Sequence, residues 1–157
     1  MSSEPSSRIP VADLLAHRPT MVLLEAVVQH SADRTVCVTT IGDNTIFRDA
    51  GGEVPAWVGL EYMAQCIAAH AGLRARADGK PPPVGFLIGS RRVAFHVAGF
   101  VPGQALIVTA NHLWGETGLG SFACSVEDGG TGTLLAEGAL NVFVPTDPGS
   151  PTGRMPE

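Results

Sequence analysis

The chain has 157 residues, ten basic and fifteen acidic, for a net charge of −5 at neutral pH. That length suits one domain with a single sizeable core, and no shift in composition divides it. The basic residues are scattered and no apolar run is long enough to span a bilayer, so neither nucleic acid nor membrane insertion is expected.

Residues 1–9, MSSEPSSRI, lack the apolar stretch of a signal peptide and have little to bury. They are expected to form a disordered tail, as are residues 145–157 (PTDPGSPTGRMPE), leaving one domain over 10–144. MVLLEAVVQ (21–29) and RTVCVTTI (34–41) flank the short link His30–Asp33 and predict a hairpin. Residues 55–77, PAWVGLEYMAQCIAAHAGLRARA, predict one long helix. Pro55 opens it where a missing N–H costs nothing, and its alanines are strong helix formers. The three prolines of PPPVGFLIG (81–89) exclude further helix and begin an extended segment, followed by RRVAFHV (91–97). The turn dipeptide Pro102-Gly103 precedes QALIVTANHLW (104–114). Gly129 and Gly130 join GSFACSVED (120–128) to GTLLAEGALNVFV (132–144) as a further hairpin. Two strands, a helix and about four more strands make an α+β fold, an antiparallel sheet packed on one helix. Cys37, Cys66 and Cys124 are too widely spaced for a disulfide framework or a metal site. They read as small buried hydrophobes in a reducing cytoplasm, and no metal is expected.

The helix is apolar nearly all round, with Leu60, Met63, Ile67 and Leu73 spread over several faces. A surface helix would carry a wide polar side. A sheet curling around it would bury most of its girth, and self-association the rest. Glu61 is the lone carboxylate, sharing a face with Trp57, Ala64, Gln65 and Ala68 at about 100° per residue. Left unpaired in such surroundings it would cost several kcal/mol, so it is either paired, to Gln65 or an arginine, or chemically used.

Four segments occur in the order of a known family. EYMAQ (61–65) resembles the central-helix signature of hot-dog-fold 3-hydroxyacyl-carrier-protein dehydratases of the FabZ type. His17-Arg18-Pro19-Thr20-Met21 with VLLEAVV resembles their opening and first strand, GFLIG (85–89) their tunnel strand, and FVPGQAL (100–106) their Val-Pro-Gly turn. The resemblance implies a hot-dog sheet wrapped around one helix, and an acyl tunnel at a dimer interface. The substrate is then carried on the phosphopantetheine of an acyl carrier protein, with no separate cofactor. In such enzymes a histidine takes the C2 proton, a helix carboxyl group helps expel the 3-hydroxyl as water, and a backbone N–H at the helix start polarises the thioester. Glu61 matches the carboxyl group. Gly59 would let the thioester approach the backbone, while Trp57, Leu60, Gln65 and Phe86 are candidates to line or order the site.

The family's His-Phe-Pro segment before the helix is replaced here by the shorter NTIFRDAGGEVPAW (44–57), which has no histidine. Its polar side chains include Thr45, Arg48 and Asp49, so the base falls to Asp49 or to His17. The chain more closely resembles the ApeP subgroup of aryl-polyene clusters, through its His-x-x-x-Met opening, Asp49-Ala-Gly-Gly loop and Gly59-Leu-Glu-Tyr helix start. That subgroup works beside a second hot-dog protein, implying a homodimer or a heterodimer. Three readings follow: a dehydratase, a non-catalytic partner that positions the acyl chain, and a thioesterase. Arg91 and Arg92 could meet an acidic carrier protein. His30, His70, His96 and His112 read as turn, surface or satisfied strand histidines, and Tyr62 as packing.

Overall fold

The computed structural model describes residues 8–16, 21–42, 46–116 and 118–145. In chain order its elements begin with β1 (Ile9–Pro10), β2 (Ala26–His30), β3 (Arg34–Thr40) and β4 (Val54–Pro55). The helix α1 (Gly59–Ala77) follows, then β5 (Phe86–Phe95), β6 (Gly99–Phe100), β7 (Ala105–Glu116), β8 (Leu119–Asp128) and β9 (Leu134–Phe143). Seven strands pair antiparallel in the order β1-β2-β3-β7-β8-β9-β5, while β4 and β6 pair separately. The helix packs across β7, β3 and β8, with a lighter contact to β9.

The strand period of two explains the core. Leu106, Val108 and Ala110 on β7, Phe122, Cys124 and Val126 on β8, and Ala136 and Leu140 on β9 are buried. Against them the helix buries Tyr62, Met63, Cys66, Ile67 and Ala69. All three cysteines are buried thiols, and burial pushes that of Cys124 up to about 12. Gly72 marks the closest approach: a Cβ there would lie 2.2 Å from the Leu14 carbonyl oxygen. Only a glycine lets the helix rest on the backbone that leads out of β1.

Several boundaries differ from expectation. Ile9 already pairs with Val27, so the sheet begins inside the expected N-terminal tail. Residues 1–7 and 146–157, the rest of that tail and most of the expected C-terminal one, lie outside the described residues, as do His17 and Thr45. The segment at 21–25 is not a strand, although its apolar run suggests one. Glu25 N–H still reaches Val38 O at 3.0 Å, but Leu23 N–H is taken by a helix side chain and Leu23 O by Thr39 Oγ1. A 3-10 turn, Ala56–Val58, precedes the helix. The two strand segments expected over 81–97 are one strand, β5, with register shifts at Leu87/Gly89 and Arg91/Ala94 and Arg92 at φ 55. Among the described residues no helix is long and apolar enough to cross a membrane.

Candidate active site

Glu61 stands in the first turn of α1, and Gln65 one turn below it. The Gln65 side chain is 1% exposed. Its Oε1 accepts from Leu23 N–H at 2.8 Å, which fixes the amide, since that backbone group can only donate. Its Nε2 then donates to Met21 O at 2.8 Å and to Glu61 Oε1 at 3.1 Å. Gln65 therefore does two things. It straps residues 21–23 to the helix and obliges Oε1 of Glu61 to be an acceptor. The better acceptor being the unprotonated oxygen, this bond favours a proton of Glu61 on Oε2.

Glu61 opens onto a cavity of about 360 Å³ between the helix and the β5 end of the sheet. Ala64, Ala68 and Ala71 continue the same helix face, and their small side chains leave the space open. Val84, Phe86 and Leu87 form the opposite wall, with Val142 and Val144 beside them. Among the described residues Glu61 is the one ionisable side chain on the wall. This is an apolar slot with, among the described residues, a single titratable side chain, Glu61. Carbon chains fit such a slot, and chemistry at a polar centre along the chain would fall to Glu61.

Of the residues expected at the site, Glu61 and Phe86 line the cavity together, and Gln65 stands behind Glu61. Leu60 is half-buried against the core rather than on the cavity wall. Trp57 is 61% exposed and meets Phe47 edge-on, with ring centroids 6.1 Å apart. The structure gives Gly59 another use: its N–H donates to Ala56 O within the 3-10 turn, and a Cβ would meet Phe100 at 3.2 Å. On its Cβ side Gly59 is thus packed against Phe100. Asp49 Oδ1 accepts from Gly51 N–H at 2.8 Å and Glu53 N–H at 3.0 Å, stapling the loop before the helix.

His17 lies outside the described residues, but its flanks reach the site. Ala16 lines the cavity, and Met21 O is bonded to the amide that holds Glu61. The alanine stripe at 64, 68 and 71 carried a signal in its helical spacing, with Glu61 at its head. Val142 and Val144, alternate residues at the C-terminal end of the sheet, were not singled out from the sequence, because nothing local shows which strand end flanks the helix.

A family model described as ApeP dehydratase, of the ApeP-like type, matches residues 9–152. The structure is similar to the dehydratase heterocomplex ApeI:P from Xenorhabdus doucetiae, at 30% identity and a TM-score of 0.82, covering 88% of this chain and 93% of that one. It is also similar to thioesterase superfamily member 2 of zebra fish (14% identity, TM-score 0.62, 85% and 89% covered). A hypothetical thioesterase with coenzyme A from Streptococcus pneumoniae matches at 8% identity and TM-score 0.57, with 75% and 86% covered. The last two likenesses show the fold alone. That fold is the hot-dog, one antiparallel sheet around one long helix. No curated protein sequence matches.

Proposed function

The chain belongs to the ApeP-like dehydratase family, and on that premise we propose that it dehydrates a 3-hydroxyacyl thioester on an acyl carrier protein to the trans-2-enoyl thioester, in the building of an aryl polyene. The observation that carries this reading is Glu61, among the described residues the one ionisable group on an apolar cavity, held by Gln65. In the reaction a base removes the C2 proton and the C2–H electron pair forms the C2=C3 bond. The C3–O bond breaks, and Glu61 gives its Oε2 proton to the departing hydroxyl, which leaves as water. Gln65 keeps Oε1 in its accepting role, so the proton is presented from one oxygen.

For the base we favour His17 over Asp49. Ala16, beside His17, lines the Glu61 cavity and Met21, four residues on, bonds Gln65, whereas one Asp49 oxygen is committed to two backbone donors. A second hot-dog chain is the partner that the likeness to a heterocomplex supports. We assign its seat to β5, the end strand of the sheet, where Phe86, Leu87 and Ile88 are all exposed. An open edge carrying apolar residues invites pairing by another strand. Buried reduced thiols accord with a cytoplasmic setting.

The test is turnover of a 3-hydroxyacyl carrier-protein thioester, followed by intact mass, with the chain alone and mixed with its hot-dog partner. Loss of one water that disappears with Glu61→Gln, in a variant that still folds, is the expected result. One observation favours a second reading, a non-catalytic subunit that positions the chain for a complete dehydratase: among the described residues no histidine lines the Glu61 cavity. In that case the mixture loses water equally well with Glu61→Gln. Free thiol release in place of water loss would point to a thioesterase.

A further inference from the structure

The face of the sheet turned away from the helix carries side chains that neither the core nor the Glu61 site uses. Phe122 on β8 and Leu140 and Val142 on β9 are buried towards the helix, so Ser121, Ala123, Ala139 and Asn141 beside them point outwards. Strand pairing sets Trp114 next to Ser121, Ser121 next to Asn141, and Asn141 next to Gly89. One outward row thus crosses β7, β8, β9 and β5 as a large residue, two small polar ones and a glycine. The next outward row runs Asn111, Ala123, Ala139 and Arg91.

Two observations set this face apart. Trp114 is 51% exposed, and Leu113 beside it, at the break in strand register, is exposed too. A Cβ built on Gly89, by contrast, would meet only Asn141 Nδ2, at 4.0 Å. A large apolar knob therefore stands at one end of the first row and an open hollow at the other. Between them Ser121 is fully buried, and its Oγ and Asn141 Oδ1 are the sealed side-chain atoms that, among the described residues, have no hydrogen-bond partner. Buried polar atoms are nearly always bonded, and these two are a possible donor and an acceptor on neighbouring strands.

We propose that this face is a self-pairing surface, covered by the same face of a second copy of the chain. What selects a second copy is that the face is complementary to itself. A two-fold axis along the strands, midway between β8 and β9, lays Trp114 of each copy over Gly89 of the other, and Ser121 over Asn141. Every contact then occurs twice, as a closed two-fold interface requires. As the rows close, the Ser121 hydroxyl of one copy donates to Asn141 Oδ1 of the other. Arg91, the one charged side chain in the two rows, comes over Asn111 of the other copy, whose amide oxygen accepts from it. Ala123 lies over Ala139, and such small side chains let two sheets approach to about 10 Å. The backbone edge of β5 stays open to the hot-dog partner, so the contact joins two such pairs through their sheets.

Sedimentation velocity over a range of concentrations tests this, on the full chain carrying Ile88→Lys, which disables pairing at the β5 edge, and on the wild-type chain with its hot-dog partner. The edge-disabled chain is expected to form dimers, and the mixture to form assemblies with two chains of each kind. Trp114→Lys, at an exposed position, should weaken either association by about tenfold or more while circular dichroism shows the fold kept. Gly89→Leu fills the hollow and should weaken it as well. Trp114→Ala added to Gly89→Leu should recover part of that loss, because a truncated knob then meets a filled hollow. An edge-disabled chain that stays monomeric, with a mixture that stops at one chain of each kind, overturns the self-pairing. So does an association that Trp114→Lys leaves unchanged. If Trp114→Lys instead blocks binding of the hot-dog partner, that partner occupies the face and the second copy is overturned. Should Trp114→Lys fail to fold, Gly89→Leu decides: weakened association supports the self-pairing, and retained association overturns it. Water loss at Glu61 does not depend on this contact, so the dehydratase reading stands or falls separately.

Discussion

Gln65→Leu tests the strap between the N-terminal segment and the helix. Leucine is close to glutamine in size, so the packing survives while three hydrogen bonds are lost. Leu23 N–H is left without its acceptor at a half-buried position, and Met21 O loses its donor where water can partly replace it. A buried donor or acceptor left unsatisfied costs about 1–3 kcal/mol, so the pair should cost about 2–4 kcal/mol in urea unfolding. Hydrogen exchange at the Leu23 amide should accelerate beyond what the global loss explains. Gln65→Glu supplies the sign control. It keeps an acceptor for Leu23 N–H but turns lone pairs towards Met21 O and Glu61 Oε1, so the new carboxyl has a folded-state pKa raised above its unfolded value. Its stabilising contribution is then complete below the unfolded pKa, about 4.3, and disappears as pH rises through the folded one. A Gln65→Leu protein within about 0.5 kcal/mol of wild type, with Leu23 still protected, would refute the strap.

Three further outcomes follow from single contacts. Gly72→Ala should destabilise the protein by about 1–3 kcal/mol despite the helix propensity of alanine, because its Cβ would sit 2.2 Å from Leu14 O; a gain in melting temperature would contradict this. His70 has its folded pKa lowered from 6.5 to about 4, so stability should fall by about 3 kcal/mol as pH drops from 6.5 through that value, and His70→Asn should flatten this part of the unfolding-against-pH curve. Ile88→Lys, at a residue 57% exposed on the edge strand, should leave the melting of the isolated chain within about 0.5 kcal/mol of wild type but weaken assembly with the hot-dog partner in sedimentation velocity.

Local patterns carried the helix, the hairpins and the place of Glu61, because each depends on neighbours in sequence: alanines at helical spacing, turn residues between alternating runs. What they could not carry is convergence. Val142 and Val144 border the groove through the pairing of β9 with β5 and β8, a long-range register that no short window contains. His30 faces Thr35 directly across a short hairpin and was within reach of sequence reasoning. His70 and His112 join them only because the helix crosses β3 and β7 at one rotation. His30 and His70 meet at the Thr35 hydroxyl, while His70 and His112 stack and line one cavity.

The same distinction bears on the missing histidine before the helix. The shorter loop in its place is a closed unit: Asp49 Oδ1 holds two backbone donors, Arg48 Nε bonds Gly52 O at 3.1 Å, and Gly52 takes φ 85. Among the described residues, Asp49 Oδ1 and Arg48 Nε are thus engaged in holding the loop's own backbone. On the proposed reading, the base would then come from outside this loop, from His17 or from a partner chain.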